Sequence, residues 1–289
     1  MKICIVTIVF NGSFVLKQAL DQIYPHVGQI LVVEGPVSYW QSKGFTTSND
    51  GTNEILESYL DPENKMTVFH GQFAEKTEQA NFCMGAVRDD IDYILCMDSD
   101  ECYKTADIIK LKEFLEEVQP DSMAIRSCTF FGGFNHYLTG FEQLPNNFRR
   151  VFKYEKGAYW FDHRPPRLTC EAKFPLHIDG DQLFEATGLQ FFHYSYCSPK
   201  GVYEKMLYYA ESVNPRNIIA DYFQDVWIDW VIGNEYTKQD IENQHFGVHE
   251  FKNRPDCYTE LFKGTHPEAI QRDLPELQAE FDRQLLKYL

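Results

Sequence analysis

The segment Tyr93-Ile94-Leu95-Cys96-Met97-Asp98-Ser99-Asp100-Glu101 runs an apolar strand straight into three acidic residues within four positions. Carboxylates at i and i+2, where a strand opens into a loop, can turn toward one hard cation. Mg²⁺ or Mn²⁺ held by one or two carboxylates keeps positions for diphosphate oxygens. A cation so placed neutralises charge on a leaving diphosphate. An Asp-x-Asp is common on acidic surfaces, and its place directly after a buried strand sets this one apart.

The elements needed to position this turn are legible upstream of it. Ile3 to Val9 is a β-branched run fit for a central parallel strand. Phe14 to Tyr24 has helical spacing, with Ser13 as cap and Pro25 as stop. Gln29–Val33, Met66–His70 and Tyr93–Met97 are further strands, and Thr52–Leu60 and Thr77–Arg88 are helices. This alternation predicts an α/β fold, a mainly parallel sheet flanked by helices. Ligands in such sheets gather beyond the carboxyl ends of the strands. Gly35 to Asp50, with Tyr39 and Trp40 among small polar residues, predicts a long loop. Its two rings are expected to cover part of a ligand site rather than the core. A helix over Lys104–Val118 and a strand over Ser122–Cys128 follow, then Phe148–Lys153 and Ala158–Phe161 as an antiparallel pair. Beyond Pro199 the pattern is helical: Lys200–Val213, Tyr222–Ile232 and the tail from Pro267.

Composition narrows the classes. Length, 289 residues, suits about two domains or one larger α/β domain with appendages. The expected division is 1–198, with one half near 1–103 and another near 104–198, followed by a helical annex over 199–289. A net charge of −16 disfavours a nucleic-acid partner and a polybasic membrane surface. No run approaches the roughly 18 apolar residues of a membrane span. The opening MKICIVTIVFNG is expected to be a buried strand, not a signal peptide. None of the eight cysteines forms a CxxC pair, so free thiols in a reducing cytoplasm are expected and a zinc site is not. Aromatic residues make up 15%, which points to a site or interface lined with rings.

Several motifs, taken in order, resemble glycosyltransferase family 2, with its GT-A nucleotide-sugar fold. The first strand runs into Asn11-Gly12. Val32-Val33-Glu34 stands where the family has Val-Val-Asp, and Ser48-Asn49-Asp50-Gly51-Thr52 matches Ser-Thr-Asp-Gly-Thr. Lys76, Gln79-Ala80-Asn81 and Gly85 resemble the helix carrying Ala-Arg-Asn. Asp98-Ser99-Asp100-Glu101 is the metal motif, Phe148 to Lys153 the Arg-hydrophobic-Phe-Arg strand, and Phe192-His193-Tyr194-Ser195-Tyr196 the late His segment. The likeness covers roughly residues 1 to 210. About a dozen residues are inserted after Glu34, and the family's Val-His-Glu element is replaced by Asp162-His163-Arg164-Pro165-Pro166.

The resemblance implies an inverting transfer of sugar from a nucleotide-diphospho-sugar, a UDP-sugar first, to an acceptor hydroxyl of a glycan, a lipid-linked or another acceptor. It implies Mn²⁺ or Mg²⁺ on Asp98 and Asp100. His193, by its residues a core histidine, becomes a third ligand by resemblance. Donor contacts fall to the main chain of Ile8 and Phe10 and to Asn11, Glu34, Lys76, Gln79, Asp98, Ser99 and Arg164. Glu34 is expected on a ribose or base edge. Asp162 and His163 are the acceptor-side candidates, His163 as base because imidazole titrates near neutrality. If neither acts, Glu142 or His136 is next. Gly264-Thr265-His266-Pro267 is a candidate cover. Two other classes stay open: a nucleotidyltransferase, for which Asn11-Gly12-Ser13 is a poor phosphate loop, and a non-catalytic sugar-binding module.

Overall fold

The structure, a computed structural model, describes residues 1–139, 148–163, 165–169, 175–213, 221–245 and 257–289. In chain order the strands are β1 (Ile3–Val9), β2 (Gln29–Glu34), β3 (Met66–His70), β4 (Tyr93–Cys96), β5 (Glu101–Cys102), β6 (Ser122–Ala124), β7 (Arg126–Phe131), β8 (His136–Leu138), β9 (Arg149–Lys153), β10 (Trp160–His163), β11 (Pro166–Leu168), β12 (His177–Ile178), β13 (Gln190–Tyr196) and β14 (Thr259–Leu261). The helices are α1 (Ser13–Ile23), α2 (Ser38–Ser42), α3 (Thr52–Ser58), α4 (Lys76–Asn81), α5 (Thr105–Val118), α6 (Gly180–Thr187), α7 (Pro199–Tyr208), α8 (Asp229–Ile232), α9 (Glu235–His245) and α10 (Glu268–Leu285).

These elements form two compact units. The first comprises Met1–Ser127, Leu144–Phe191 and Pro267–Ile270; the second comprises Cys128–Gln143, Phe192–His266 and Gln271–Leu289. The division differs from the expected cut at 198, because its boundaries fall inside β7 and β13.

The first unit is built on a seven-stranded sheet of order β12-β6-β9-β4-β1-β2-β3. β1 pairs in parallel with β2 and β4, and β2 with β3, while β9 runs antiparallel to β4 and β6. All seven residues of β1 are buried, since both faces of the sheet are covered. Ile3, Ile5 and Val9 join Leu16 and Leu20 of α1 and Ile108, Leu111 and Leu115 of α5. Cys4, Val6 and Ile8 join Ala80, Cys83, Met84, Trp160 and Leu168 on the other side. The alternation along β1 therefore sorts its side chains into two cores.

Three expectations need correction. The helix expected over Thr77–Arg88 stops at Asn81, and a separate 3₁₀ turn follows at Met84–Ala86, where Gly85 favours a break. The strand expected over Ser122–Cys128 is two strands parted at Ile125, and the register of β6 on β9 shifts between Met123 and Ala124. Phe148–Lys153 and Ala158–Phe161 do not pair with each other. β9 fills the large sheet, and β10 makes a hairpin with β11, Pro166 being its first residue. Proline is tolerated there, at the start of an edge strand.

In the second unit β8 pairs antiparallel with β7 and β14. Its core is ring on ring: Phe130 stacks on Tyr194 at 5.0 Å, and Phe262 and His266 pack on Phe130. Tyr194 Oη lies 2.9 Å from His266 Nδ1. His266 is thus a buried core histidine, and the cover expected of Gly264–Pro267 is not what this residue does. The helical annex is present as α7 to α10, with π-helical turns at Tyr209–Val213 and Tyr222–Ile228 and with β14 among them. Ser198 caps α7 by accepting from the Gly201 N–H at 3.0 Å. Among the described residues no helix is long and apolar enough to cross a membrane.

Candidate active site

The strand order reverses at β1. The chain moves outward from β1 through β2 to β3 and then returns to β4 on the other side of β1. The carboxyl ends of β1 and β4 therefore flank a topological switch point, where open α/β sheets receive ligands. β1 ends in Phe10 and Asn11, and Asn11 takes a left-handed φ of 51°, which asparagine tolerates better than most residues. The turn is held by the motif after the inserted segment. Asn11 N–H donates to Ser48 Oγ at 2.9 Å, and Asn49 N–H donates to Asn11 Oδ1 at 2.9 Å. Gly12 N–H donates to Thr52 Oγ1 and Ser13 N–H to Asp50 Oδ2, each at 3.0 Å. These bonds satisfy orphan donors at the start of α1 from outside the helix. The Ser48–Thr52 motif and the Asn11–Gly12 turn are one structure.

Glu34 ends β2 and is buried, with His70 opposite it in the parallel register of β3. Its Oε1 accepts the Ser48 N–H at 2.7 Å, and its Oε2 accepts Thr47 Oγ1 at 3.0 Å and lies 3.1 Å from His70 Nδ1. A cavity of about 430 Å³ opens here, lined by Glu34, Thr46, Thr47, His70, Gly71 and Gln72. Gly35 follows at φ 149°, so close to the Gly71 carbonyl that a Cβ would overlap it.

The inserted segment is more ordered than a loop. It carries α2, and Gln41 Nε2 donates to the carbonyls of Pro36 at 3.0 Å and Phe73 at 2.8 Å. Trp40 packs with Phe10, Phe45 and Tyr39 at centroid distances of 4.8 to 5.6 Å. Both Tyr39 and Trp40 remain partly exposed.

The acidic turn follows β4. Glu101 N–H donates to the Asp98 carbonyl at 3.1 Å, closing a four-residue turn. Glu101 is fully buried and paired with Arg150 of β9: Nε reaches both carboxylate oxygens at 3.0 Å, and Nη2 also contacts Oε1. Arg150 Nη2 donates to Asp98 Oδ2 at 3.1 Å, and Asp98 N–H donates to Glu101 Oε2 at 3.3 Å. Burial and the Asp100 charge would raise the Asp98 carboxyl. The Arg150 guanidinium, helped by His163 and Lys76, outweighs them and holds it below the ordinary range. Burial likewise opposes the Arg150 charge, but Glu101 and Asp98 keep the guanidinium well above its usual value. Ser99 packs on the β1 turn; a Cβ on Gly12 would stand 2.5 Å from its Oγ.

The electrostatics around Asp98 thus place Lys76 and His163 in its neighbourhood. Lys76 starts α4, and Asn81 ends it by clamping β10. Asn81 Nδ2 donates to the Trp160 carbonyl at 2.6 Å, and Trp160 N–H donates to Asn81 Oδ1 at 2.7 Å. His163, three residues on, is buried. Asp162 is partly exposed and accepts from Arg167 Nη2 at 2.9 Å. Gln79, expected among the donor contacts, is buried. Its amide donates to the carbonyls of Val33 at 2.9 Å and Gly35 at 3.1 Å, tying down the end of β2. Ile8 pairs with Val33 inside the sheet. His193 belongs to the second unit, 3.5 Å from Thr129 Oγ1, and His136 packs edge-on to Trp230 there. Arg164 and Glu142 lie outside the described residues.

Arg150, Asn81 and His70 are absent from the residues singled out in the sequence. Arg150 and Asn81 stood inside quoted motifs, and the signal for Arg150 was a cation on a strand otherwise fit for burial.

Among the described residues no group of three or more His, Cys, Asp or Glu side chains is gathered for a metal. Asp98 and Asp100 nonetheless offer hard oxygen donors, and Asp98 is held ionised. This donor set fits Mg²⁺ or Mn²⁺ shared with phosphate oxygens and does not make a closed all-protein cage.

Solved structures resemble the chain at low identity. S. aureus TarS 1-349 is 15% identical with a TM-score of 0.41, the match covering 85% of this chain and 72% of that one. The same protein in complex with UDP-GlcNAc gives 15%, 0.39, 85% and 73%. The 4-diphosphocytidyl-2C-methyl-D-erythritol synthase of Anaerococcus prevotii DSM 20548 gives 11%, 0.32, 53% and 70%. No curated protein matches the chain. The model described as Glycosyl transferase family 2 matches residues 46–169, a span that holds the Ser48–Thr52 motif, the acidic turn, Arg150 and β10. Over residues 46–169 the chain is therefore similar to glycosyl transferase family 2.

Proposed function

We propose that this glycosyltransferase moves a sugar from a nucleotide-diphospho-sugar to an acceptor hydroxyl, with inversion and with the help of Mn²⁺ or Mg²⁺. The observation that carries this reading is the meeting of the β1 turn and the acidic turn at the switch point, Gly12 against Ser99. It sets the main chain after β1 beside a held, ionised carboxylate. Nucleoside and ribose go toward Glu34 and its cavity, with Phe10 and Asn11 at the rim. UDP is the first nucleotide to test. A bound cation, held by Asp98 and Asp100, would neutralise charge on the diphosphate. For His193 as a further ligand only the family resemblance speaks. Lys76 and His163, whose charges act on Asp98, would supply positive charge or, from His163, a proton acceptor for the incoming hydroxyl. Asp162 is the poorer base, since its carboxylate already accepts from Arg167. The buried free thiols suit a reducing, cytoplasmic setting.

The test is a thermal-shift series of UDP, GDP, CDP and ADP with and without Mn²⁺, followed by release of nucleotide from UDP-sugars. Specific ligands raise the melting temperature by mass action. Asp98→Asn should remove the Mn²⁺-dependent part of the shift while the unliganded melting temperature stays within a few degrees. Transfer to a hydroxyl acceptor separates this activity from nucleotidyl transfer, which would release pyrophosphate from a nucleoside triphosphate. A protein that binds free sugar and no nucleotide would be a binding module.

A further inference from the structure

Arg150 is a buried cation with an unusual division of labour. Its Nε and Nη2 grip Glu101, and Nη2 alone reaches Asp98 Oδ2, at 3.1 Å. No described residue bonds Asp98 Oδ1. The Asp98 main chain is fixed at the same time, by the Glu101 N–H to Asp98 carbonyl bond and by the Asp98 N–H to Glu101 Oε2 bond. On the other side, Gly12 leaves no room for the turn to swing, because Ser99 already fills the space beside it. Glu101, third acid of the motif, is fully buried and turned to Arg150.

We propose that Arg150 is a positioning residue that presents Asp98 to a cation through one oxygen only and withdraws Glu101 from the cation altogether. This rests on the nucleotide-sugar reading above. The consequence is selectivity for size. A small octahedral ion needs one or two single-oxygen carboxylate contacts and takes the rest from phosphate and water. Ca²⁺ takes six to eight oxygens and commonly uses carboxylates through both. With Oδ2 engaged by Arg150, Asp98 offers one oxygen, which suits the first kind of ion better than the second.

The experiment is a binding titration in the presence of UDP, reading Mn²⁺ by the loss of its free-ion paramagnetic resonance signal and Ca²⁺ by competition. The wild-type protein should prefer Mn²⁺ over Ca²⁺ by at least about tenfold. Arg150→Lys keeps the charge and loses the fork. Mn²⁺ affinity should fall about 10- to 100-fold, the usual cost of losing a residue that orients a metal ligand. The Mn²⁺/Ca²⁺ ratio should narrow, and UDP binding without metal should hold. Glu101→Gln keeps Arg150 on Asp98, so it should keep the ratio. A general loss of structure would weaken both ions alike. A wild-type protein that binds Ca²⁺ as tightly as Mn²⁺ overturns the assignment without any variant, as does an Arg150→Lys protein with the wild-type ratio. If the wild-type protein takes up neither UDP nor Mn²⁺, the nucleotide-sugar reading fails and this assignment with it.

Discussion

Asn81→Ala tests how the candidate base is delivered. The Asn81 amide stands where a neighbouring strand would, donating to the Trp160 carbonyl at 2.6 Å and accepting the Trp160 N–H at 2.7 Å. Trp160 is buried against Phe152, with rings perpendicular at 5.1 Å, so water does not readily replace the lost partner. Each neutral hydrogen bond contributes about 1 kcal/mol net, and a buried group left unsatisfied costs about 1–3 kcal/mol. Two groups on one strand put the penalty at about 2–6 kcal/mol, felt first as local opening of β10 and not as global unfolding. His163 rides on that strand, so its placement near Asp98 loosens with it. Hydrogen exchange over 158–163 should accelerate, and transfer should fall about 10- to 100-fold with nucleotide binding nearly unchanged. Asn81→Asp keeps the acceptor for Trp160 N–H and should fall between. Unchanged exchange over β10 in Asn81→Ala would refute the clamp. Accelerated exchange with full activity would remove His163 from catalysis.

Gly12→Ala places a methyl 2.5 Å from Ser99 Oγ and 2.7 Å from Val9 Cγ2, and overpacking of this kind costs about 1–3 kcal/mol. The backbone there, φ −114° and ψ 22°, is open to alanine, so Gly12→Ala with Ser99→Gly should recover part of the loss in a denaturation assay. Asp107 is buried, which pushes its carboxyl up to about 6 from 3.8. Its folded form therefore holds the proton longer than the unfolded form, and stability falls as pH rises from about 4 to about 6. Asp107→Asn should leave stability near pH 4 unchanged and raise it at pH 8 by up to about 3 kcal/mol, from 1.36 kcal/mol per pH unit. Trp160, Trp227 and Trp230 are at most 1% exposed while Trp40 is partly exposed, so Trp40→Phe should remove the acrylamide-quenchable part of the fluorescence. UDP should shield that component in the wild-type protein if the ring cluster at Phe10 borders the nucleotide.

The parallel half of the sheet was legible because β1, β2 and β4 are buried on both faces and carry apolar runs; β1 falls where expected to the residue, and so does β3, a partly exposed strand at the sheet edge. The antiparallel half was not. β9 has the same composition as an edge hairpin strand, and only tertiary pairing decides that it lies between β4 and β6. Gln79 misled for a related reason. A polar side chain at a helix face reads as solvated or ligand-bound, yet its amide serves main-chain carbonyls at the end of β2. The inserted segment looked like a cover because Gly, Ser and Thr dominate it. What gives it structure is one glutamine and a set of rings, whose partners lie up to 32 residues away in sequence.

The acidic motif shows most plainly where spacing stops informing. By sequence, Asp98, Asp100 and Glu101 are three carboxylates in one turn, and only the i, i+2 spacing marks Asp98 and Asp100 for the cation. The structure separates them. Glu101 cannot be solvated, so it must be paired, and the pairing needs a guanidinium, whose fork spans two oxygens where an ammonium would reach one at a time. That guanidinium comes from the antiparallel neighbour of β4, 49 residues along the chain. Once there, its Nη2, already on Glu101, also falls on Asp98, because Asp98 and Glu101 are the first and last residues of one turn. The buried pair is a poor source of stability, since desolvation offsets most of its Coulomb gain. Its effect is geometric: one acid is locked away, one is left with a single oxygen that no described residue bonds, and the turn between them is pressed against Gly12 at the mouth of β1.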